Sequence, residues 1–331
     1  MVADLPLSGL GPTERLGDGG QGTVFLLPRH PRLLFKRYHD GIDVDHSELA
    51  RLVELPALVD ARDRDFLRTV TAWPCGRVIE GGRLVGFVMP RAPDRFHTVV
   101  GGRSRPLELQ FLLYPRRVMW QDVPRPDPAA RCALAARLID LFDVLHRNRL
   151  LVGDVSMKNF LWTVDGPPGV FAVDCDGFQI PGRSPAVAPA QTLGWQDPAV
   201  PAGRATLDSD RYKLALLVLR VLLGDHAVTP VVVVRTIDWH RLLGREVMAL
   251  AERVLVPGDR PPASHWRLAL SLPRRPEPAS RNVAPMPRTA VDLLGVPSRP
   301  LLRWRATVES GTDVCPVSTP VGKQETSFGH D

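Results

Sequence analysis

From residue 129 to 146 apolar side chains return at Leu134, Leu138, Leu141 and Leu145, the period of a helix that buries one face. Leu207–Leu223, with the apolar run Leu214–Leu223 broken only by Arg220, predicts a strongly apolar helix, with Asp208 and Asp210 at the end where the helix dipole favours a carboxylate. Helical patterning continues over Trp239–Val256, stops at Pro257-Gly258, and resumes over Ala263–Leu272. The first 90 residues read differently. Short strand-like runs occur at Val24–Leu27, Leu33–Tyr38, Thr69–Trp73 and Arg83–Met89. One helical pattern interrupts them at 45–59, capped by Asp45 or Ser47 and limited by Pro56. Phe160–Val164 and Val170–Val173 flank Asp165-Gly-Pro-Pro-Gly169 and predict a hairpin. Strands gathered early and helices late imply an α+β chain.

At 331 residues there is enough chain for two lobes, and 44% hydrophobic with 24% charged residues suits a globular protein. Residues 94–128 carry scattered prolines and predict an insertion of loops and short helices, its Arg103–Arg117 part a solvated surface. Seven prolines between 273 and 300, followed by a Ser/Thr/Gly-rich end, predict a disordered tail over 273–331. Val291–Leu294 or Leu301–Trp304 in that tail are segments where a partner would dock. Apolar runs such as Leu214–Leu223 fall short of the roughly 18 to 20 residues that span a bilayer, so no membrane span is expected. The N-terminus has no secretory pattern, and the expected location is cytoplasmic.

Cys75, Cys132, Cys175 and Cys315 are too far apart for a metal knuckle and read as free thiols. The formal charge is +6, but the basic residues are scattered with little aromatic interleaving, so no nucleic acid is expected. Only four of the 42 basic residues are lysine, at 36, 158, 213 and 323. In a chain that uses arginine almost everywhere, each lysine invites a chemical reason.

Four stretches carry that chemistry. Gly17, Gly19 and Gly22 precede Val24 in a strand, turn, strand pattern, where bare backbone amides can approach a polyphosphate and Val24 can pack on a base. Lys36 follows on the next strand, a flexible ammonium suited to phosphate oxygens. Glu48 and Glu54 are candidates to pair with it, Glu54 preferred. Asp154 and Asn159 stand five residues apart between apolar runs, suited to take a proton from a hydroxyl and to hold a divalent metal. Beyond the hairpin, Asp174-Cys175-Asp176 offers a metal carboxylate, with either acid the ligand.

In this order the motifs resemble the protein kinase superfamily over roughly residues 10–272, most closely a divergent bacterial Ser/Thr kinase-like branch. The resemblance implies a bilobal fold: a small β-rich N-lobe over 1–90, then hinge, insertion and mainly helical C-lobe over 91–272, then the tail. It implies ATP and Mg2+ or Mn2+ as cofactors, with the γ-phosphate passing to Ser/Thr hydroxyls of an unknown protein substrate. Gly17, Gly19, Gly22, Val24, Lys36, Glu54 and Met89 would then bind the nucleotide. Asp154 would be the base, with Lys36 and Lys158 completing the catalytic set, and Asn159 and Asp174 would hold metal. Ser209-Asp210 looks like the buried-aspartate start of the long central helix, and Arg260 like the late arginine that pairs with Asp197.

The chain also departs from the pattern. Val152-Gly153 replaces His-Arg before Asp154, Asp176 stands where D-F-G has glycine, and Lys158 lies four rather than two residues past the base. Readings in which the site binds nucleotide without catalysis, as in a pseudokinase or regulatory scaffold, or phosphorylates a small molecule, are the alternatives.

Overall fold

The structure is a computed structural model and describes residues 4–189, 192–201 and 205–272. The tail over 273–331, its two docking segments, Cys315 and Lys323 lie outside the described residues.

Six strands form one sheet: β1 (Asp4–Pro6), β2 (Glu14–Asp18), β3 (Gly22–Leu26), β4 (Leu33–Tyr38), β5 (Gly76–Glu80) and β6 (Arg83–Pro90). Their order is β1-β5-β6-β4-β3-β2, with β1 parallel to β5 and the other pairs antiparallel. Alternation along β4 sends Phe35 to an outer cluster with Leu10, Leu27, Val78 and Val88. Leu34 and Tyr38 point the other way, into the main core with Phe87 and Met89. Lys36 shares that inner face, and the register sets it directly opposite Val24 on one side and Phe87 on the other. The strands approach so closely there that a Cβ at Gly86 would lie 2.0 Å from the Lys36 carbonyl oxygen.

Helix α1 (His46–Leu58) begins at Asp45, whose carboxylate accepts from the amides of Ser47 and Glu48. It runs two residues past Pro56, which the pattern had placed near its limit. The expected strand at Thr69–Trp73 is absent. A second helix, α2 (Ala61–Val70), occupies much of that stretch, and only Thr71 makes a bridge, to Ala172. Asp60 caps α2 through the amide of Asp63. Asp63 is buried and takes the Asn148 side-chain amide at 2.6 Å and the Arg147 guanidinium at 2.8 Å. That tertiary contact overrides the apolar reading of the sequence around residue 70.

The insertion contains a hairpin, β7 (His97–Val100) with β8 (Arg103–Pro106), and a short helix α3 (Gln110–Leu113). Its arginines 103, 105, 116 and 117 are exposed, as expected of a solvated surface. Helix α4 (Pro128–Arg147) and the hairpin of β9 (Phe160–Thr163) and β10 (Gly169–Ala172) follow the expected pattern. So does α5 (Leu207–Leu223), buried over most of its length and packed along α4.

The single helix expected over Trp239–Val256 is two. The chain forms α6 (Pro230–Arg235) and α7 (Ile237–Leu243), then breaks at Gly244, whose φ of 84° no helix accommodates, before α8 (Arg245–Val254) and α9 (Ala263–Ser271). Among the described residues no helix is long and apolar enough to cross a membrane. The result is an α+β architecture in which the inner face of the mixed sheet looks toward β9, β10 and the turn that follows them.

Candidate functional site

The loop from Leu151 to Asn159 leaves α4 and is held from below by α5. Asp210, fully buried in the first turn of α5, accepts the amides of Val152 at 3.0 Å and Gly153 at 2.9 Å, with His146 Nε2 2.9 Å from the same carboxylate. Lys213, one turn further along α5, donates to the Gly153 carbonyl oxygen. Gly153 has a φ of +70°, and a Cβ there would lie 3.0 Å from the Gln179 amide nitrogen. Glycine at the position where the resemblance expects arginine therefore has a local cause: the backbone turns left-handed to meet Asp210.

The turn projects Asp154 into a half-buried position, with Thr192 Oγ1 3.5 Å from its carboxylate. Burial pushes the Asp154 carboxyl above its ordinary value, against the opposing pull of Lys213 and of hydrogen bonds from Asn159 and Thr192. A carboxylate so placed is a better proton acceptor than one in water. The Asn159 side-chain nitrogen donates to the Asp154 carbonyl oxygen at 2.8 Å, which leaves the Asn159 carboxamide oxygen as the acceptor for another group.

Asp174 lies across from this loop because the amide of Val173 donates to the Asn159 carbonyl oxygen at 2.9 Å, extending the β9–β10 pairing by one step. The chain then turns through Asp174 in the left-handed region, φ 54° and ψ 40°, into a short 3-10 turn over Cys175–Gly177. This separates the two acids. The Asp174 side chain is about half exposed at 51%, whereas Asp176 is fully buried.

Lys36 meets both acids. Its Nζ is 3.0 Å from Asp174 Oδ1 and 3.0 Å from each Asp176 oxygen, and the Tyr38 hydroxyl donates to Asp176 at 3.2 Å. Burial opposes the lysine charge, yet the two carboxylates outweigh it and hold the ammonium above its ordinary value. Burial, reinforced by Asp176, likewise keeps the Tyr38 phenol protonated as a donor.

The expected pairing of Lys36 with Glu54 is replaced by this arrangement. Glu54 is exposed on α1, and Glu48, the other candidate, is buried against Arg183, whose Nε lies 2.9 Å from its carboxylate. The physical reason is the direction of β4: Lys36 points from the sheet toward the Asp174 turn, and that turn supplies its carboxylates.

The glycines divide into two kinds. A Cβ at Gly22 would lie 2.4 Å from the Arg37 carbonyl oxygen, so Gly22 is required by the approach of β4. Gly17 and Gly20 meet nothing within 4 Å, and Gly19 only the Gly22 carbonyl oxygen at 3.6 Å; all three are exposed at the hairpin end. Val24, Lys36 and Met89 share the inner face of the sheet, with Met89 buried. Lys158 is exposed, within electrostatic reach of the Glu108 carboxyl.

Two residues that the sequence reading gave no role belong to this site. Lys213 supplies charge beside Asp154, and its only sequence signal is lysine scarcity: all three described lysines, 36, 158 and 213, lie at the site. Glu108, in the insertion, has no local signal. Its backbone bridges Leu161 and accepts from Trp162 Nε1 at 3.1 Å, which brings the carboxyl near both Lys158 and Asp174. Burial pushes Glu108 up from 4.5 to about 7, with Lys158 and the Gln110 side chain opposing and Asp174 adding to the rise.

Because the folded state prefers Glu108 protonated, the stability it contributes is present below pH 4.5 and is lost as pH rises through about 7. Glu108→Gln is expected to flatten that fall. The difference in unfolding free energy between variant and wild type should grow by about 1 to 2 kcal/mol from pH 4.5 to 7.5, part exposure reducing the limit of about 1.4 kcal/mol per pH unit. Urea unfolding across that range measures it, and a difference that does not change with pH contradicts the assignment.

Among the described residues no group of three or more His, Cys, Asp or Glu side chains is placed to hold a metal ion. Asn159 and Asp174 provide a carboxamide oxygen and a single accessible carboxylate, a donor set that suits a hard cation sharing its remaining positions with phosphate and water. No protein-family model matches the chain, and no curated protein matches it.

Proposed function

We propose that this chain is an ATP- and Mg2+-dependent phosphotransferase of protein-kinase type that transfers the γ-phosphate to Ser/Thr hydroxyls. The observation that carries the reading is the approach of Lys36 to Asp174, 3.0 Å across 138 residues of sequence, beside the loop that carries Asp154 and Asn159. A strand ammonium, a carboxylate after a hairpin, and a carboxylate and carboxamide on one loop are the parts a phosphoryl transfer site needs, in the chain order of the kinase resemblance. In this reading β1–β6 and α1 form a small lobe, residues 91–272 a larger one, and Pro90-Arg91 the start of the hinge, with Met89 beside the nucleotide base.

Each residue then has one task. The exposed amides around Gly17, Gly19 and Gly20 cover the phosphates, and Lys36 attracts their oxygens. Asp154 accepts the proton of the attacking hydroxyl, its basicity raised by burial and moderated by Lys213. Asn159 and Asp174 would hold Mg2+, which when bound neutralises charge on the phosphates. Lys158, on the open side of the loop, faces incoming substrate. The buried pair of Arg260 with Asp197 and the anchor of Asp210 beneath the loop support a C-lobe of protein-kinase rather than small-molecule type.

Asp174→Asn provides the test. Calorimetric titration of wild type with ATP is expected to show affinity rising about tenfold or more when Mg2+ is added, and the variant should lose most of that gain. Mg2+ without effect on wild type, or an undiminished gain in the variant, overturns the metal assignment.

A further inference from the structure

We infer that Asp176 is the positioning residue for Lys36, doing from the buried turn after the hairpin what the kinase resemblance assigns to a glutamate on α1. The inference rests on the proposed nucleotide site and concerns how that site is assembled. Both Asp176 oxygens lie 3.0 Å from Lys36 Nζ, a bidentate contact, whereas Asp174 offers one oxygen at the same distance. Asp176 is fully buried and Lys36 is 4% exposed, so the pair is shielded from the solvent that makes surface pairs interchangeable. Tyr38, two residues along the same strand face, fixes the carboxylate with a hydroxyl donor, and its ring packs 5.8 Å from Phe87. The ammonium itself sits 5.8 Å from the Phe87 ring centroid.

The two acids of Asp174-Cys175-Asp176 thus divide the work. The half-exposed Asp174 can turn to a metal without releasing the lysine, because Asp176 keeps hold of it. The sequence departure at residue 176, an acid in place of glycine, becomes the substitute for the helix glutamate. Glu48 is already engaged with Arg183, in the segment after the turn, and Arg51 approaches within 3.5 Å. A lysine anchored on a buried turn does not depend on where α1 sits, so this site is assembled without the helix movement that a helix-borne anchor would require.

Lysine scarcity makes the test direct. With lysine labelled by 13C at Cε, the four lysines give four signals, and Lys36→Arg identifies the one from Lys36. Asp176→Asn is expected to shift the Lys36 signal while Glu54→Gln and Glu48→Gln leave it in place, both in free protein and with Mg2+ and ADP. In kinetics Asp176→Asn should raise the KM for ATP about tenfold or more with the Mg2+ requirement unchanged, the reverse of the Asp174 variant. A Lys36 signal unmoved by Asp176→Asn, or moved as far by either glutamate variant, overturns the inference. Where Asp176→Asn does not fold, the two glutamate variants still decide it: a shift in either contradicts it, and an unshifted signal in both supports it. Absence of ADP binding by wild type would count against the proposed function alone, since the Lys36 signal reads the anchor without nucleotide.

Discussion

Asp154→Asn is expected to slow phosphate transfer from ATP by about 10²- to 10⁴-fold, the range associated with loss of a general base, while ATP affinity stays unchanged. The asparagine has the same shape. It keeps the backbone carbonyl that receives the Asn159 side chain at 2.8 Å and the amide that donates to Val152 at 2.8 Å, so the loop and the proposed metal ligand stay where they are. It also keeps an oxygen for Thr192. What it loses is basicity, and the Lys213 charge nearby then faces a neutral amide. Initial rates with labelled ATP, together with titration of ATP into both proteins, separate the two effects. Equal rates in variant and wild type remove Asp154 from the chemistry, and a parallel loss of ATP binding makes it a structural residue instead.

The largest expected effect on stability comes from Asp197→Ala, at about 3 to 5 kcal/mol. Asp197 and Arg260 are each 2% exposed in their side chains, and one Asp197 oxygen lies 2.9 Å from Arg260 Nη2. Arg260 is held further by the carbonyl oxygens of Val254 at 3.1 Å and Asp208 at 3.2 Å, and its guanidinium sits 5.0 Å from the Tyr212 ring centroid. Asp197 also accepts the Ala199 amide at 3.0 Å, so the pair ties residues 197–199 to α5 and to the chain after α8. Removing the carboxylate alone leaves a guanidinium charge shielded from solvent, with only the partly exposed Asp208 carboxylate, 3.2 Å from Nη1, to offset it. Removing both charges, in Asp197→Ala with Arg260→Met, is expected to recover a substantial part of the loss, because no uncompensated charge remains. Urea unfolding of the two singles and the double measures this, and a double as unstable as the sum of the singles contradicts the pairing account.

Much of this arrangement is legible in the chain because it is written locally. The glycine turn between two strands, the helix that begins at Leu207 and carries Asp210, and the hairpin around Asp165-Gly-Pro-Pro-Gly169 each follow from turn chemistry and periodicity within a few residues. The paired placement of Asp197 and Arg260, 63 residues apart, is legible only through the kinase resemblance. Three features escape for a common reason. The partner of Lys36 is chosen by a fold that brings residues 138 and 140 positions away to one strand, and nothing near Glu54 records that choice. Helix α2 gains its place from Asp63 reaching Arg147 and Asn148 across 84 and 85 residues. Glu108 joins the site through a backbone bridge to Leu161, within an insertion that has no periodicity to read. The break at Gly244 is of another kind: apolar spacing continues through it, and only the backbone angle ends the helix.

Lys213 shows how composition carries information that motifs miss. Its neighbours on α5 read as plain core, yet arginine would serve an ordinary surface position there as it does elsewhere in the chain. A compact ammonium donates to the Gly153 carbonyl oxygen and places a point charge beside Asp154, where a guanidinium would bring a planar fork instead.

The most direct measurement is to incubate the wild-type protein with ATP labelled on its γ-phosphate, with Mg2+ or Mn2+ and then with a chelator. The predicted result is metal-dependent label on serine or threonine hydroxyls, of the chain itself or of added protein, abolished by the chelator. ATP bound in the presence of either metal with no label on any hydroxyl and none released as phosphate would contradict the account.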